Sequence, residues 1–380
     1  MSKADLPLRN NLREVRTRLG LSQQELAEQV GITRQAVGAI EAGQSSPSAA
    51  IALRMARVLG CQIDDLFWLE DDPPVLDAIP VRSFPPGERS RLALARVGGR
   101  WVAHPLAGEQ AFRTELLPAD GEGTWRFGDP ALHVQLLDDP QNLHHTVAVA
   151  GCTPVLSLWA RAAERWHPGL RVLWTFANST AALEALARGE IHAAGSHLYD
   201  EETGEHNLPF ARRILPGRAL VLINLGTWEE GLLVRPGNPL GLRCGADLAQ
   251  PGVRVINREP GAGARLLLER ILRRERIPFG AVCGFDQQAG SHLAVAQAVA
   301  AGEADAGVSA ASVAAAFGLG FVPLHQARYD IVIPREYLEE PPVRHWLSTL
   351  NHRWVRSQLE ALGGYDTSLT GEVVAVAEPS

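Results

Sequence analysis

The chain has 380 residues, of which 46% are hydrophobic and 21% are charged, and its formal net charge is -7. This composition is typical of a folded protein with two or three domains, and it excludes a disordered chain. The sequence has no run of about 20 apolar residues and no apolar signal-peptide core, so we expect a cytoplasmic protein without a membrane span. Its four cysteines are widely spaced and predict neither a disulfide framework nor a metal site.

The first predicted feature is a pair of short helices joined by a tight turn, between Leu21 and Gly43. Ser22 starts a capping-box pattern that begins a helix at about Gln23. Gly31 favours the left-handed conformation that ends this helix, and Thr33 caps the next one. The segment resembles the helix-turn-helix of the Xre and lambda-repressor family. The resemblance and the flanking apolar pattern together predict an all-α five-helix bundle.

The second of the two helices is predicted to read DNA. It presents Arg34 and Gln35 in its first turn, where a recognition helix meets base edges in the major groove. Arginine suits guanine and glutamine suits adenine, because each side chain forms paired hydrogen bonds with its base. We therefore expect these two residues to set sequence specificity.

Four further residues are expected to contact the DNA. The family resemblance assigns phosphate contacts to Ser22 and Thr33 and a backbone or base contact to Gln23, and Ser45 in the following loop is a further phosphate candidate. Residues 1–70 contain eight Lys or Arg and eight Asp or Glu, so this region lacks the broad positive field of a nonspecific binder. We therefore expect a homodimer that reads two half-sites of a palindromic operator.

The middle of the chain changes composition twice. Five prolines between residues 73 and 86 disfavour helix and predict a stiff linker. Beyond them, two apolar runs separated by Gly98 and Gly99 predict a β-hairpin. The predicted domains are a helix-turn-helix domain at 1–70, a Pro-rich linker at 71–90, a β-rich connector at 91–142 and a ligand-sensing domain at 143–380.

From Leu143 onward, predicted strands alternate with predicted helices in two successive sets. Such alternation indicates a parallel sheet covered by helices. Two α/β lobes joined by crossing strands resemble the clamshell of periplasmic-binding-protein-like domains. We therefore predict a multidomain chain with an all-α five-helix bundle, a small β-rich connector and a two-lobed α/β clamshell.

The loops after these strands are the candidate ligand contacts, because ligands of open α/β sheets bind beyond the carboxyl ends of the strands. Loops of the first lobe offer hydroxyl side chains and backbone N–H groups near helix starts, which are anion-binding features. A loop of the second lobe adds glycines and arginines. The predicted ligand-binding residues are Cys152, Thr153, Ser179, Thr180, Ser196, His197, Arg258, Gly261, Gly263, Arg265 and Tyr329.

Three runs of this region, AGSHLYDEETGEHNLP, VINREPGAGARLLLERIL and ARYDIVIP, carry a second resemblance. They resemble the substrate-binding domain that is fused to Xre-type regulators and is related to molybdate-binding proteins. The resemblance implies a small oxyanion as effector, molybdate or tungstate, or a compound related to the molybdenum cofactor. Cys152 stands where a hydroxyl residue is common in that family, which leaves a small organic acid open as well.

These observations favour a ligand-responsive transcriptional regulator in which a small anion closes the two lobes. The hypothesis assigns no catalytic residue, no metal and no cofactor other than the effector. Two alternatives stay open at this point. One is an enzyme acting on an anionic substrate in the cleft, with Cys152 beside His144, His145 or His197. The other is a DNA-binding adaptor whose clamshell binds no ligand and serves protein contact.

Overall fold

The computed structural model of the chain describes residues 8–69, 75–82, 84, 86–87, 89–107, 111, 116–137 and 139–379. The chain divides into two compact units, Met1–Pro74 and Val75–Ser380. Each unit has its own apolar core. The predicted multidomain architecture is confirmed.

The first unit is a helical bundle whose core contains Leu12, Leu26, Val37 and Met55. Its elements are the helices α1 (Leu12–Arg18), α2 (Gln23–Val30), α3 (Arg34–Glu41) and α4 (Ala49–Leu59) and the paired strands β1 (Leu8–Asn10) and β2 (Phe67–Leu69). The sequence predicted a closing turn at residues 63–67 as the fifth element of the bundle. A hydrogen-bonded turn starts at Ile63, but it is not a fifth helix among the described residues, and the chain continues as a strand that pairs with β1.

The predicted helix boundaries at the centre of this unit are confirmed. The Ser22 hydroxyl accepts a hydrogen bond from the backbone N–H of Glu25, and the Glu25 carboxylate accepts one from Ser22 N–H at 2.7 Å. This reciprocal pair satisfies two N–H groups that a helix start leaves free. Gly31 ends α2 at φ 75°, and Thr33 then caps α3 through the N–H of Ala36.

The second unit begins with five strands that close into a small barrel. In chain order they are β3 (Val75–Pro80), β4 (Arg89–Val97), β5 (Arg100–Pro105), β6 (Gly121–Thr124) and β7 (Leu132–Leu136). The strands β4 and β5 form the predicted antiparallel hairpin around Gly98 and Gly99.

The barrel extends into the segment 71–90 that the sequence predicted as a linker. Strand β3 lies between β5 and β7 and pairs Leu76 with Val134. The prediction failed because proline density argues against helix but tolerates a strand that ends at a proline, as β3 does at Pro80. Residues 70–74, 83, 85 and 88 of the predicted linker lie outside the described residues.

The remainder of the second unit is a two-lobed α/β domain. Its strands are β8 (Thr146–Gly151), β9 (Arg171–Phe176), β10 (Ala193–Ser196), β11 (Leu220–Val234), β12 (Val255–Arg258), β13 (Gln288–Ala289), β14 (Ala306–Ala310), β15 (Gly320–Pro334), β16 (Tyr365–Asp366) and β17 (Val373–Ala377). Its helices are α5 (Pro140–Leu143), α6 (Val155–Trp166), α7 (Ser179–Ala187), α8 (Leu208–Ile214), α9 (Gly263–Arg274), α10 (His292–Ala300), α11 (Ala311–Ala316), α12 (Pro341–Ser348) and α13 (Arg353–Ala361).

Two long antiparallel strands, β11 and β15, join the lobes. The first half of β11 pairs with β17, while its second half pairs with β14, so one strand serves both lobes. The register of the β11–β15 pair shifts at Asn224 and again at Glu230, and such irregularities bend a strand. We call the part built on β8, β9 and β10 the first lobe and the part built on β12, β13 and β14 the second lobe.

The barrel packs against the first lobe. The backbone N–H of Arg82 donates to the Glu190 carboxylate at 2.8 Å, and His192 Nε2 lies 3.0 Å from the carbonyl oxygen of Arg96. One apolar core runs through both. None of the described helices combines the length and apolar composition that crossing a bilayer requires.

Candidate functional site

The candidate DNA-reading surface of the first unit is the first turn of α3. Arg34 and Gln35 are both exposed there, while Val37 and Ile40 on the other side of the helix are buried. The helix is therefore held by its apolar face and leaves its polar face available. This is the arrangement that a recognition helix requires.

The four other residues predicted to contact DNA differ in solvent exposure and in their hydrogen bonds within the protein. Ser22, Thr33 and Ser45 are exposed. Gln23 is half-buried, and its amide donates a 2.8 Å hydrogen bond to the Glu41 carboxylate. Gln23 is therefore partly committed to the interior of the bundle. Contact of all these residues with DNA stays a prediction.

In the second unit, the two lobes meet at a seam of direct hydrogen bonds. The Asn178 amide donates to the Glu259 carboxylate at 3.1 Å and to the Pro260 carbonyl at 3.2 Å. The Thr180 hydroxyl donates to the Gly261 carbonyl at 3.1 Å. These contacts join the start of α7 in the first lobe to the loop after β12 in the second. The cleft is therefore closed along this edge.

A group of buried polar side chains lies where the strand ends converge behind this seam. They come from the ends of β8, β10 and β12, the middle of β11 and β15, and the start of α10. Each is at most 3% exposed. We call this group the cleft cluster, and it comprises Cys152, Ser196, His197, Glu230, Arg258, His292 and Tyr329.

His197 lies at the centre of the cleft cluster. Its Nε2 is 3.2 Å from Cys152 Sγ, and its Nδ1 is 3.1 Å from the Glu230 carboxylate. Burial opposes protonation of the ring, but the neighbouring Glu230 and Cys152 outweigh it and raise the pKa of His197 to about 10. Nε2 of His197 is hydrogen-bonded to Cys152, whereas Nδ1 lies at ion-pair distance from Glu230 without hydrogen-bond geometry.

His292 approaches from the second lobe. Its ring centroid is 5.8 Å from that of His197, and its Nδ1 lies 2.9 Å from the Ser309 hydroxyl. Its Nε2 has no hydrogen-bond partner within the described part of the chain. Burial lowers the pKa of His292 well below its ordinary value, with a further contribution from the charge of Arg258. His292 is therefore a neutral imidazole with one free nitrogen.

Arg258 is buried with only part of its guanidinium satisfied. Its Nε and Nη2 donate to the Glu259 carboxylate at 2.8 and 2.9 Å. Its Nη1 has no partner among the residues that the structure describes, and the same holds for the Ser196 and Tyr329 hydroxyls. Burial raises the pKa of Tyr329 well above its ordinary value, so this hydroxyl keeps its proton. The cleft thus gathers several buried donors without acceptors.

Three glycines make room for the rings of the cleft cluster. A Cβ added at Gly195 would lie 2.1 Å from the Tyr329 hydroxyl, and one at Gly151 would lie 2.5 Å from it. A Cβ at Gly263 would lie 2.5 Å from the His197 ring. These positions require glycine because a larger side chain would occupy the space of the rings.

The structure brings the predicted ligand-binding residues into one region but gives them different roles. Ser179 accepts a hydrogen bond from the backbone N–H of His197 at 3.2 Å, and Thr180 and Gly261 form part of the seam. The Thr153 hydroxyl lies 3.4 Å from that of Tyr365. The Arg265 guanidinium pairs with Glu269 at 2.9 Å and donates to the backbone carbonyl of Arg258. Arg265 thus supports the loop, and it shares the Glu269 carboxylate with Arg273.

Sequence reasoning missed Glu230, His292 and Trp228, whose ring lies 5.1 Å from that of His197. One signal was available for His292. The five residues Ala-Gly-Ser-His-Leu occur at 194–198 and again at 289–293, once in each lobe. The histidines of these two segments are the pair that faces across the cleft. No comparable signal marks Glu230, which lies within a long strand.

A cavity of about 320 Å³ adjoins the cleft cluster. His197, Glu230 and Gly263 form one side of it, and Tyr199 and Arg270 belong to its remaining wall. Cavities of about 300 Å³ or more are of the size that holds small ligands. Of the cleft cluster, only His197 and Glu230 line this cavity, and its wall also includes the carboxylates of Asp200, Glu201 and Glu202.

Two family models match the chain. The model described as PBP superfamily domain matches residues 160–351. The model described as Helix-turn-helix matches residues 12–66. Together they cover both α3 with its exposed polar turn and most of the two-lobed domain.

The chain is also similar to individual proteins. The uncharacterized protein YvgK of Bacillus subtilis (strain 168) is 36% identical over 199 residues, which cover 52% of this chain and 64% of that protein's length. The uncharacterized HTH-type transcriptional regulator YgzD of the same organism is 43% identical over 65 residues, covering 17% of this chain and 98% of YgzD. Among solved structures, the sulfate-binding protein SubI from Mycobacterium tuberculosis H37Rv has a TM-score of 0.44 at 16% identity, covering 58% of this chain and 86% of SubI.

Proposed function

Because this chain belongs to the PBP superfamily and joins that domain to a helix-turn-helix domain, we propose that it is a transcriptional regulator whose two-lobed domain senses a small anion. The helix-turn-helix domain is that of HTH-type transcriptional regulators. The proposal adds that the effector of this regulator is a small anion.

The observation that carries the proposal is the buried guanidinium of Arg258. Its Nη1 is unpaired among the described residues, although the side chain is only 1% exposed. A buried donor of this kind costs about 1 to 3 kcal/mol, and more when it is charged. An anion bound between the lobes removes this penalty, because it accepts a charge-assisted hydrogen bond from Arg258.

The other donors around Arg258 narrow the class of anion. Ser196 and Tyr329 offer neutral hydroxyls, and Trp228 offers an indole N–H that is unpartnered in the described structure. Arg258 is ion-paired with Glu259, so the site offers its free Nη1 and neutral donors as hydrogen bonds and no unbalanced positive charge. A small oxyanion or a small carboxylate suits such donors, because each oxygen accepts a separate hydrogen bond. Molybdate and tungstate belong to this class, and so do small organic acids.

Regulation follows if the anion prefers the closed lobes. Arg258 belongs to the second lobe and Ser196 to the first, so an anion that binds both favours closure. A ligand shifts an equilibrium only through such a difference in affinity. We propose a coupling of about 1 to 3 kcal/mol between this closure and DNA binding by a homodimer at a palindromic operator.

Reciprocal variants test the proposal. The full-length protein is screened by thermal shift against molybdate, tungstate, sulfate, phosphate and small carboxylates, and against DNA that the wild type selects from a random pool. Arg258→Met should abolish the anion-induced shift, and Ser196→Ala should weaken it about tenfold or more, while both keep DNA binding. Arg34→Ala with Gln35→Ala should lose about 1 to 3 kcal/mol of DNA affinity per paired contact and keep the anion.

Matched controls separate these effects from unfolding. Arg274→Met removes a guanidinium whose side chain is 72% exposed, and it should change neither readout. Arg18→Ala in the first unit serves the same purpose for DNA. An absence of any stabilising anion in the panel, or an anion response that survives Arg258→Met, would contradict the sensor function. DNA binding that survives the double substitution would refute the assigned recognition helix.

One observation favours the enzyme as a second candidate. Cys152, His197 and Glu230 follow one another at 3.2 and 3.1 Å, which is the order of a nucleophile, its base and an orienting carboxylate. A cysteine nucleophile should be alkylated by iodoacetamide much faster than the exposed Cys283. Because Cys152 is buried, the rate is also compared with that of His197→Gln, which removes the base and should slow alkylation. An equal rate in the two proteins would exclude this role.

A further inference from the structure

The two Ala-Gly-Ser-His-Leu segments bring two histidines together in the cleft, and these histidines suggest a ligand other than the anion. We infer that Cys152, His197 and His292 form a binding site for a divalent transition-metal ion of the zinc class, which bridges the two lobes. The inference does not depend on the proposed effector. It rests on the positions of three ligand atoms and on the groups that hold them.

The ligand atoms are close enough to share one ion. Cys152 Sγ, His197 and His292 offer atoms that all lie within 4.8 Å of one another. Three atoms that are no more than 4.8 Å apart always have a common point that is at most about 2.8 Å from each of them. A metal ion at this point would be near all three. Zinc bonds of about 2.3 Å to sulfur and 2.0 to 2.1 Å to nitrogen therefore need side-chain shifts below about 1 Å.

The Nε2 atom of each imidazole is the one available for metal binding. His292 Nδ1 is hydrogen-bonded to the Ser309 hydroxyl at 2.9 Å, and His197 Nδ1 lies 3.1 Å from the Glu230 carboxylate, at ion-pair distance but without hydrogen-bond geometry. Metal-binding histidines typically hold their second nitrogen in this way, which fixes the ring and the tautomer. The remaining Nε2 of His292 is buried and has no partner in the described residues.

His292 separates this inference from the enzyme alternative. A nucleophile with its base and orienting group needs only Cys152, His197 and Glu230. A second histidine with a free, buried nitrogen adds nothing to that chemistry, whereas it completes a Cys-His-His ligand set. Zinc sites with an open fourth position likewise use three protein ligands, drawn from cysteine, histidine and carboxylate residues.

Charge also suits a divalent cation. A metal-bound Cys152 thiolate and the Glu230 carboxylate together carry two negative charges, which one divalent ion balances. The nearby Arg258 is itself paired with Glu259. Cysteine binds a metal ion as the thiolate and histidine as the neutral imidazole, so metal binding releases protons.

The location of the ligands gives the ion a mechanical effect. Cys152 and His197 belong to the first lobe, and His292 begins α10 of the second lobe. An ion bound to all three joins the lobes at a second place, beside the seam between Asn178 and Glu259. Metal binding should therefore stabilise the closed cleft.

Equilibrium dialysis of the full-length, chelator-treated protein tests the site. With zinc sulfate as the probe, the metal content by mass spectrometry should reach one ion per chain in the wild type. Cys152→Ser and His292→Gln should lose this ion. Glu230→Gln should weaken it about 10- to 100-fold, because it removes an orienting partner of a ligand. Cys283→Ser and His345→Gln change exposed residues and should keep the ion.

A cobalt experiment keeps the test independent of folding defects. Co²⁺ bound by a thiolate gives a sulfur-to-cobalt charge-transfer absorption, which the wild type and Glu230→Gln should show and Cys152→Ser should not. Absence of this absorption in folded wild type, or zinc that stays bound in both ligand variants, would overturn the inference. Thermal shifts caused by anions, measured on the chelator-treated protein, test the sensor function without the metal. The metal site and the anion sensor can therefore be refuted independently.

Discussion

Buried polar groups differ between the core of the helix-turn-helix domain and the cleft of the two-lobed domain. In the first, the Glu41 carboxylate is bound by Arg16 Nε at 2.6 Å and by the Gln23 amide at 2.8 Å. In the second, Arg258 Nη1 and the Tyr329 hydroxyl are buried without a hydrogen-bond partner among the described residues. The two-lobed domain also has paired buried charge, such as Asp330 with Arg328, so the unpaired donors are a feature of its cleft and not of the whole domain.

Whether a buried polar group is paired distinguishes residues that stabilise the fold from residues that are candidates for binding. A buried polar group that is fully paired has a structural consequence when it is removed. A buried polar group without a partner lowers the stability of the protein until water or a ligand satisfies it. Removing a paired polar group should therefore destabilise the fold, whereas removing an unpaired one should leave stability unchanged or raise it.

The largest effect is expected for Arg16→Met in the helix-turn-helix domain. The change leaves the Glu41 carboxylate without its ion-pair partner in a site where Glu41 is only 4% exposed. We expect the free energy of unfolding to fall by about 3 kcal/mol. Urea unfolding, followed by the circular dichroism of the full chain, measures this loss, and Arg18→Met on the exposed side of the same helix is the control.

The same pair predicts a pH dependence. Burial raises the pKa of Glu41, but hydrogen bonds from Arg16 and Gln23 outweigh it and lower the pKa below the ordinary value of 4.5. The folded state is then stabilised at neutral pH, and this contribution is lost as the pH falls below 4.5. If Arg16→Met unfolds at the same urea concentration as Arg18→Met, the pair has no structural role.

A smaller effect is expected for Gly195→Ala in the two-lobed domain. The new methyl group would lie 2.1 Å from the Tyr329 hydroxyl, so the ring must move at a cost of about 1 to 3 kcal/mol. The matched control is Gly169→Ala, where nothing lies within 4 Å of the added atom. Equal unfolding midpoints for the two variants would show that the Tyr329 ring can move away from the new methyl group without cost, which would contradict the prediction.

The smallest effect on stability is expected for Tyr329→Phe. Its hydroxyl has no partner in the described structure, so its removal should leave the free energy of unfolding within about 1 kcal/mol or raise it. Tyr365→Phe, which loses a hydroxyl 3.4 Å from that of Thr153, is the paired control and should destabilise more. Thermal shift should also show weaker anion binding by Tyr329→Phe. A clear loss of stability in Tyr329→Phe would undo the contrast between the two regions.

Much of the fold was predictable because its signals are local. The capping box at Ser22, the left-handed Gly31 and the hairpin at Gly98 each depend on a few neighbouring residues. The fifth element of the bundle and the linker differ from their predictions for the opposite reason. Strand β2 exists because it pairs with β1, and β3 exists because it pairs with β5 and β7, and no local pattern reports such partners.

The candidate site shows the same division. Residue types in the loops after the strands identified Cys152, Ser196, His197, Arg258 and Tyr329, because strand ends of an α/β sheet converge on its ligand side. Glu230 was not predicted because it lies within a strand and not in a loop after one, and a position within a strand gives no sign of which lobe it faces. Arg265 was predicted to bind the ligand, but in the structure its guanidinium is paired with the Glu269 carboxylate.

By itself, the sequence determined where helices start, which polar turn faces outward in the helix-turn-helix domain, and which loops are rich in anion-binding groups. Only the tertiary structure decided which of those groups are left without partners and which histidines meet across the cleft. The reason is physical. Caps and turns are formed by neighbours in the chain, whereas hydrogen-bond satisfaction depends on atoms that folding brings from different lobes.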